Sequence, residues 1–168
     1  MEKNIVLIGF MGTGKSSVGT RLAQRLKMQF VDMDREIEKI TGLSVSDIFK
    51  RHGEIRFRSE EKLMVSRLAG EKGLVIATGG GVVLDQENMK GLGQNGIIIC
   101  LEASAADIFQ RVSRRKGIRP LLKKDSQVED IEKMLQARES FYAKADYQID
   151  TSNKSPDQVS NEIISLLK

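Results

Sequence analysis

Residues 4–16 constrain the fold more than any other stretch of this chain. Asn4-Ile5-Val6-Leu7-Ile8 is an apolar run of strand length, and it leads straight into Gly9-Phe10-Met11-Gly12-Thr13-Gly14-Lys15-Ser16. The second segment has the spacing G-x-x-x-x-G-K-[ST] of a phosphate-binding P-loop. A helical pattern follows, with Val18, Leu22, Ala23 and Leu26 on one face and Arg21, Gln24, Arg25 and Lys27 on the other. Strand, glycine-rich loop and helix in that order are the setting the motif requires. Gly9, Gly12 and Gly14 let the backbone take positive φ and turn its N–H groups around a phosphate. The helix start adds unpaired N–H groups and the positive end of its dipole. Lys15 is expected to reach the β- and γ-phosphates, and the Ser16 hydroxyl to ligate Mg²⁺. The expected ligand is a nucleoside triphosphate.

Strand and helix patterns then alternate to the end of the chain. Strands are predicted at about 4–8, 29–32, 74–77, 97–101 and 147–149. Helices are predicted at about 15–27, 34–41, 44–69, 85–92, 104–114 and 127–144, with a last one beginning near Pro156. Gly42 divides the second helix from the third. The strands are nearly all apolar, as parallel strands covered on both sides must be. The expected class is α/β, a doubly wound five-stranded parallel sheet with helices on both faces, in one domain spanning 1–168.

Composition narrows the class further. A 168-residue chain with 40% hydrophobic and 30% charged residues suits a globular enzyme. The longest apolar runs, such as Ile97 to Leu101, are far too short to cross a bilayer, so no membrane partner is expected. The N-terminus has no signal-peptide layout. The lone cysteine, Cys100, sits within an apolar strand and reads as a core residue of a protein kept in a reducing cytoplasm. A net charge of +4 points to anionic ligands, while no nucleic-acid-binding module is recognisable. Seven basic residues from Arg111 to Lys124 form a second supply of cations that competes with the plainer reading of a solvated face.

In a doubly wound sheet, ligands gather at the carboxyl ends of the strands. Asp32 and Asp34 end strand two, and strand alternation would point both side chains the same way. Two acids beside a P-loop suit Mg²⁺ and an attacking hydroxyl. The plainer alternative is that Asp34 caps the next helix. Gly79-Gly80-Gly81 ends strand three on the same edge, where three consecutive glycines suggest close approach of backbone to a ligand. Ile76-Ala77-Thr78-Gly79 carries no acid, which leaves the magnesium role to Asp32. Glu54, Arg58 and Glu61 share one helical face by spacing. On spacing alone this is equally an exposed ion-pair ladder or an arginine held ready for a carboxylate.

Taken together, these residues resemble the shikimate kinase family over essentially the whole chain. The resemblance rests on Gly9 to Gly19, Asp32-Met33-Asp34, Gly53 to Glu61, Gly79-Gly80-Gly81, Arg119-Pro120-Leu121-Leu122 and Arg138 within Ala137 to Tyr142. It implies a P-loop kinase fold with a helical substrate-binding insertion at about 33–61 and a mobile lid at about 113–126. It also implies a monomer that transfers the ATP γ-phosphoryl group to the 3-hydroxyl of shikimate. Lys15, Asp34 and Arg119 are then the catalytic residues, with Asp34 as the base and Arg119 carried by the lid. Gly12, Thr13, Gly14, Lys15, Ser16, Ser17, Arg111, Arg119 and Asn153 would bind ATP, with Arg111 against the adenine. Asp34, Arg58, Gly80, Gly81 and Arg138 would bind shikimate, the two arginines gripping its carboxylate. Val45, Phe49, Phe57 and Pro120 would be the apolar walls, and Ser16 and Asp32 the metal site.

Two other classes fit less well. A gluconate or nucleoside monophosphate kinase would share the P-loop and lid without needing Arg58, the three glycines and Arg138 together. A GTP-hydrolysing switch needs an Asn-Lys-x-Asp segment, and Asn153-Lys154-Ser155-Pro156 fails at its fourth position.

Overall fold

Every residue of β1 (Asn4–Ile8) is buried, which is what a strand covered by helices on both faces requires. In the computed structural model, which describes residues 2–114 and 127–168, β1 is the middle strand of a five-stranded parallel sheet. The elements that follow it are α1 (Lys15–Leu26), β2 (Gln29–Asp32), α2 (Met33–Thr41), α3 (Val45–Ala69), β3 (Leu74–Ala77), α4 (Gln86–Gln94), β4 (Gly96–Glu102), α5 (Ala105–Arg114), α6 (Val128–Tyr142), β5 (Tyr147–Asp150) and α7 (Pro156–Leu166). A short 3₁₀ turn, Val82–Leu84, stands between β3 and α4. The strand order is β2-β3-β1-β4-β5, with Ile5 level with Val75 on one side and Ile97 on the other.

Alternation along the strands builds two cores. Val6, Ile8, Ile76, Ile98 and Cys100 face one side, packed with Ile37, Phe57, Met64 and Ile131 from the helices there. Ile5, Leu7, Val75, Ile99 and Leu101 face the other, against Val18 and Leu22 of α1 and Val159 and Ile163 of α7. Each such aliphatic side chain contributes about 1.5–3 kcal/mol by leaving water. Gly19 lets α1 lie close on the sheet, since a Cβ there would meet the Phe30 ring at 2.5 Å. The Cys100 thiol is fully buried, and burial pushes its pKa up to about 12, so it is an inert core group.

The helix expectations hold with one correction. Gly42, at φ 68°, ends α2 as expected. A second interruption lies inside α3 at Gly53, where φ is 84° and ψ 173°. Glu54, Arg58 and Glu61 all follow that break, so their shared face belongs to one continuous helical segment. Among the described residues, no helix is long and apolar enough to cross a membrane.

Candidate active site

The P-loop has the backbone its glycines predict. Gly9, Gly12 and Gly14 have φ of 146°, 79° and 94°. Gly14 caps α1 with no side-chain hydrogen bond, so the first turn of α1 offers N–H groups that lack intrahelical acceptors. The Lys15 ammonium donates to the carbonyls of Gly9 (2.6 Å) and Phe10 (3.0 Å), which holds the cation within its own loop. Thr13 is almost wholly buried, and both its N–H and its hydroxyl donate to Phe10 O. Its side chain braces the loop.

Ser16 Oγ donates to Asp32 Oδ2 at 2.7 Å, which joins the first turn of α1 to the end of β2. Asp32 also caps α2, through Oδ1 and the Arg35 N–H. The helix-cap alternative therefore falls to Asp32, and Asp34 lies inside the first turn of α2. Strand alternation is consequently not what aligns the two acids, because the chain turns helical at Met33. They nevertheless line one cavity of about 580 Å³, together with Lys15, Ser16, Thr78 and Gly80. A hydroxyl and a carboxylate in contact beside a phosphate loop form a hard-oxygen donor set that suits Mg²⁺. Among the described residues no group of three acids, histidines or cysteines could enclose a metal unaided. That fits an ion completed by phosphate oxygens and water.

The glycine run at the end of β3 is packed by charged groups. Gly80 O accepts from Arg138 Nη1 at 3.0 Å. Arg138 is almost fully buried, and its guanidinium stands 5.4 Å from the Phe10 ring centroid. A Cβ on Gly81 would land on the Arg58 guanidinium. One on Gly79 would lie 2.8 Å from Asp34 Oδ1 and 3.0 Å from Glu61 Oε2. Arg58 donates to Glu61 Oε1 at 3.0 Å and to Glu54 Oε1 at 3.3 Å. It also lies 5.5 Å from the Phe57 ring, which pairs with Phe49 at 4.9 Å. Burial outweighs the pull of Arg58 and pushes the Glu61 carboxyl up to about 7, with Asp34 adding to the rise. Asp34, Arg58, Gly80, Gly81 and Arg138 are thus drawn together at one strand end, beside the phosphate loop.

A second cavity of about 300 Å³ opens on the other side of the P-loop, between Gly12, Ser17, Arg111 and Thr151. The Arg111 guanidinium donates to Gly12 O, Thr151 Oγ1 and Thr151 O, each at 3.1 Å, and so ties the P-loop to the loop after β5. Asn153 is exposed, has φ 58° and does not line this cavity. Val45 lines the first cavity. Arg119, Pro120 and most of the expected lid at 113–126 lie outside the described residues.

Two contributors go beyond the expected site residues. Glu61 is marked in the sequence by its spacing to Arg58, and nothing in that spacing signals burial. Thr151 opens the segment that matches the family's adenine loop in position, and its contact with Arg111 has no local signal.

Comparison with known proteins concerns the chain as a whole. The family model described as shikimate kinase matches residues 11–168. A shikimate kinase of Pelotomaculum thermopropionicum is 53% identical over 166 residues, covering 99% of this chain and 96% of the relative. One from Thermodesulfovibrio yellowstonii is 51% identical over 162 residues, covering 96% and 93%. Among solved structures, a shikimate kinase from Acinetobacter baumannii in complex with shikimate superposes with a TM-score of 0.94 at 36% identity, covering 99% of this chain and 93% of that one.

Proposed function

The chain belongs to the shikimate kinase family, and on that premise we propose that it transfers the γ-phosphoryl group of ATP to the 3-hydroxyl of shikimate, giving shikimate 3-phosphate and ADP on the route to chorismate. The observation that carries this reading is the cavity that Lys15, Ser16, Asp32, Asp34 and Gly80 line together. A phosphate donor site and a hydroxyl-orienting acid there share one space.

Phosphoryl transfer needs little covalent help from a protein and much positioning and charge neutralisation. The P-loop N–H groups and Lys15 hold the triphosphate, with Gly12, Thr13, Gly14, Ser16 and Ser17 forming the cradle. Arg111 and the loop carrying Asn153 flank the adenine side. Ser16 and Asp32 would hold Mg²⁺, which would supply charge neutralisation at the phosphates. Asp34 orients the acceptor hydroxyl and receives its proton. Arg58 and Arg138 grip the acceptor carboxylate, where two planar forks supply orientation as well as affinity. The backbone of Gly80 and Gly81 lies along the ring.

We read 1–168 as one domain, with the insertion at about 33–61 bearing the acceptor site, in a cytoplasmic monomer. Release of ADP dependent on shikimate tests the reading.

A further inference from the structure

Glu61 is the most deeply buried charged group of the acceptor site, with 1% of its surface exposed. Its two oxygens have different surroundings. Oε1 accepts from Arg58 Nη1 at 3.0 Å. Oε2 has no hydrogen-bond partner among the described residues, and a Cβ at Gly79 would meet it at 3.0 Å and Asp34 Oδ1 at 2.8 Å. Two carboxylates therefore face one small space at the end of β3. The charged groups that act on Glu61 are Arg58 on its own helix, Asp34 on α2 and Arg138 on α6. Thr78 and the three glycines that follow β3 add no charged side chain.

We propose that Glu61 takes up a proton when the carboxylate of the acceptor docks on Arg58, so that acceptor binding is coupled to protonation of this side chain. The inference rests on the assignment of Arg58 and Arg138 to the acceptor carboxylate.

The reason is charge. An incoming carboxylate competes with Glu61 for Arg58 and adds a third acid beside Asp34 and Glu61. A carboxylate this deeply buried is poorly screened by solvent, so neutralisation costs least. Burial already holds the Glu61 carboxyl at about 7, and one more negative neighbour moves it across neutral pH. The proton comes from solvent and settles on Oε2, the oxygen facing Asp34, while Oε1 continues to accept from Arg58. One carboxylate becomes one carboxylic acid, and no other bond changes.

The sign follows. Below about pH 7 the free protein already holds this proton, so binding takes up none and affinity is at its plateau. Above it, binding takes up as much as one proton, and the shikimate Kd rises by as much as tenfold per pH unit until the bound form also ionises.

Calorimetric titration of the full chain with shikimate at about pH 7.5, in buffers of differing ionisation enthalpy, reads the proton directly. The expected result is a heat that varies linearly with buffer enthalpy in the sense of uptake. In Glu61→Gln, which keeps an acceptor for Arg58 and has no proton to gain, the uptake vanishes and Kd is flat across this pH range. A merely structural role for Glu61 would weaken binding at every pH and leave the proton count unchanged. Shikimate binding with a buffer-independent heat in the wild type overturns the proposal, as does undiminished uptake in the glutamine variant. If that variant does not fold, the wild-type buffer series decides alone. Failure of the wild type to bind shikimate in any buffer instead overturns the acceptor-site assignment beneath it.

Discussion

Ser16 Oγ and Asp32 Oδ2 are joined by a 2.7 Å hydrogen bond, so the first turn of α1 and the end of β2 present their oxygens as one pair. Replacing Asp32 by Asn keeps the helix cap on α2 but removes the negative oxygen. The Mg²⁺ concentration needed for half-maximal activity should rise by about tenfold, with little change in thermal stability. A magnesium titration of ADP release checks this, and an unchanged requirement would remove Asp32 from the metal site.

The Lys15 ammonium donates to two carbonyls of its own loop, so its removal should loosen that loop without unfolding the protein. Lys15→Ala should lower the rate of ADP formation by about 100-fold or more, because a preorganised charge at the transferring phosphate is lost. The melting temperature should stay within a few degrees of the wild type. A large fall in melting temperature would assign Lys15 to the scaffold.

Gly81 has φ −101°, which alanine adopts freely, so any harm from Gly81→Ala comes from space alone. The added Cβ would displace the Arg58 guanidinium. KM for shikimate should rise by about tenfold or more while the Kd for ATP holds, and Arg58→Ala should give the same signature. Equal loss of ATP and shikimate affinity in Arg58→Ala would place that arginine outside the acceptor site.

The Glu61 carboxyl also carries a stability signature. Its folded value of about 7 lies above the ordinary 4.5, so the folded state holds more protons in that interval and its stability falls as pH rises through it. The cost, complete above about pH 7, is roughly 3 kcal/mol. Urea unfolding of the wild type and Glu61→Gln at about pH 5 and pH 8 should therefore show the variant gaining relative stability at the higher pH. A difference independent of pH would contradict the burial of an ionisable carboxyl there.

Much of this molecule is legible in its residues, for identifiable reasons. The P-loop announces itself because phosphate binding needs glycines, a lysine and a hydroxyl at fixed spacing, and the φ values at Gly9, Gly12 and Gly14 match that need. Apolar runs mark the parallel strands because both faces are covered. Local spacing cannot report which side of a helix the rest of the fold buries. Arg56 and Glu60 form an i,i+4 pair with the arginine 56% exposed, while Arg58 and Glu61 form an i,i+3 pair with the glutamate 1% exposed. Both read alike until the sheet and the glycine run are placed against α3. Spacing alone offers Asp34 as the cap on α2, and the strand–helix junction, at Asp32 and Met33, moves that role to Asp32.

Lys15, Ser16 and Asp32 line one cavity with Asp34 and Gly80, and shikimate is its proposed acceptor. The direct measurement is ADP release by the purified chain with ATP and Mg²⁺, offered shikimate, gluconate or nucleoside monophosphates in parallel. Shikimate alone should stimulate release far above the acceptor-free rate, and the product should be phosphorylated on the 3-hydroxyl. Stimulation by another acceptor and none by shikimate would contradict the account.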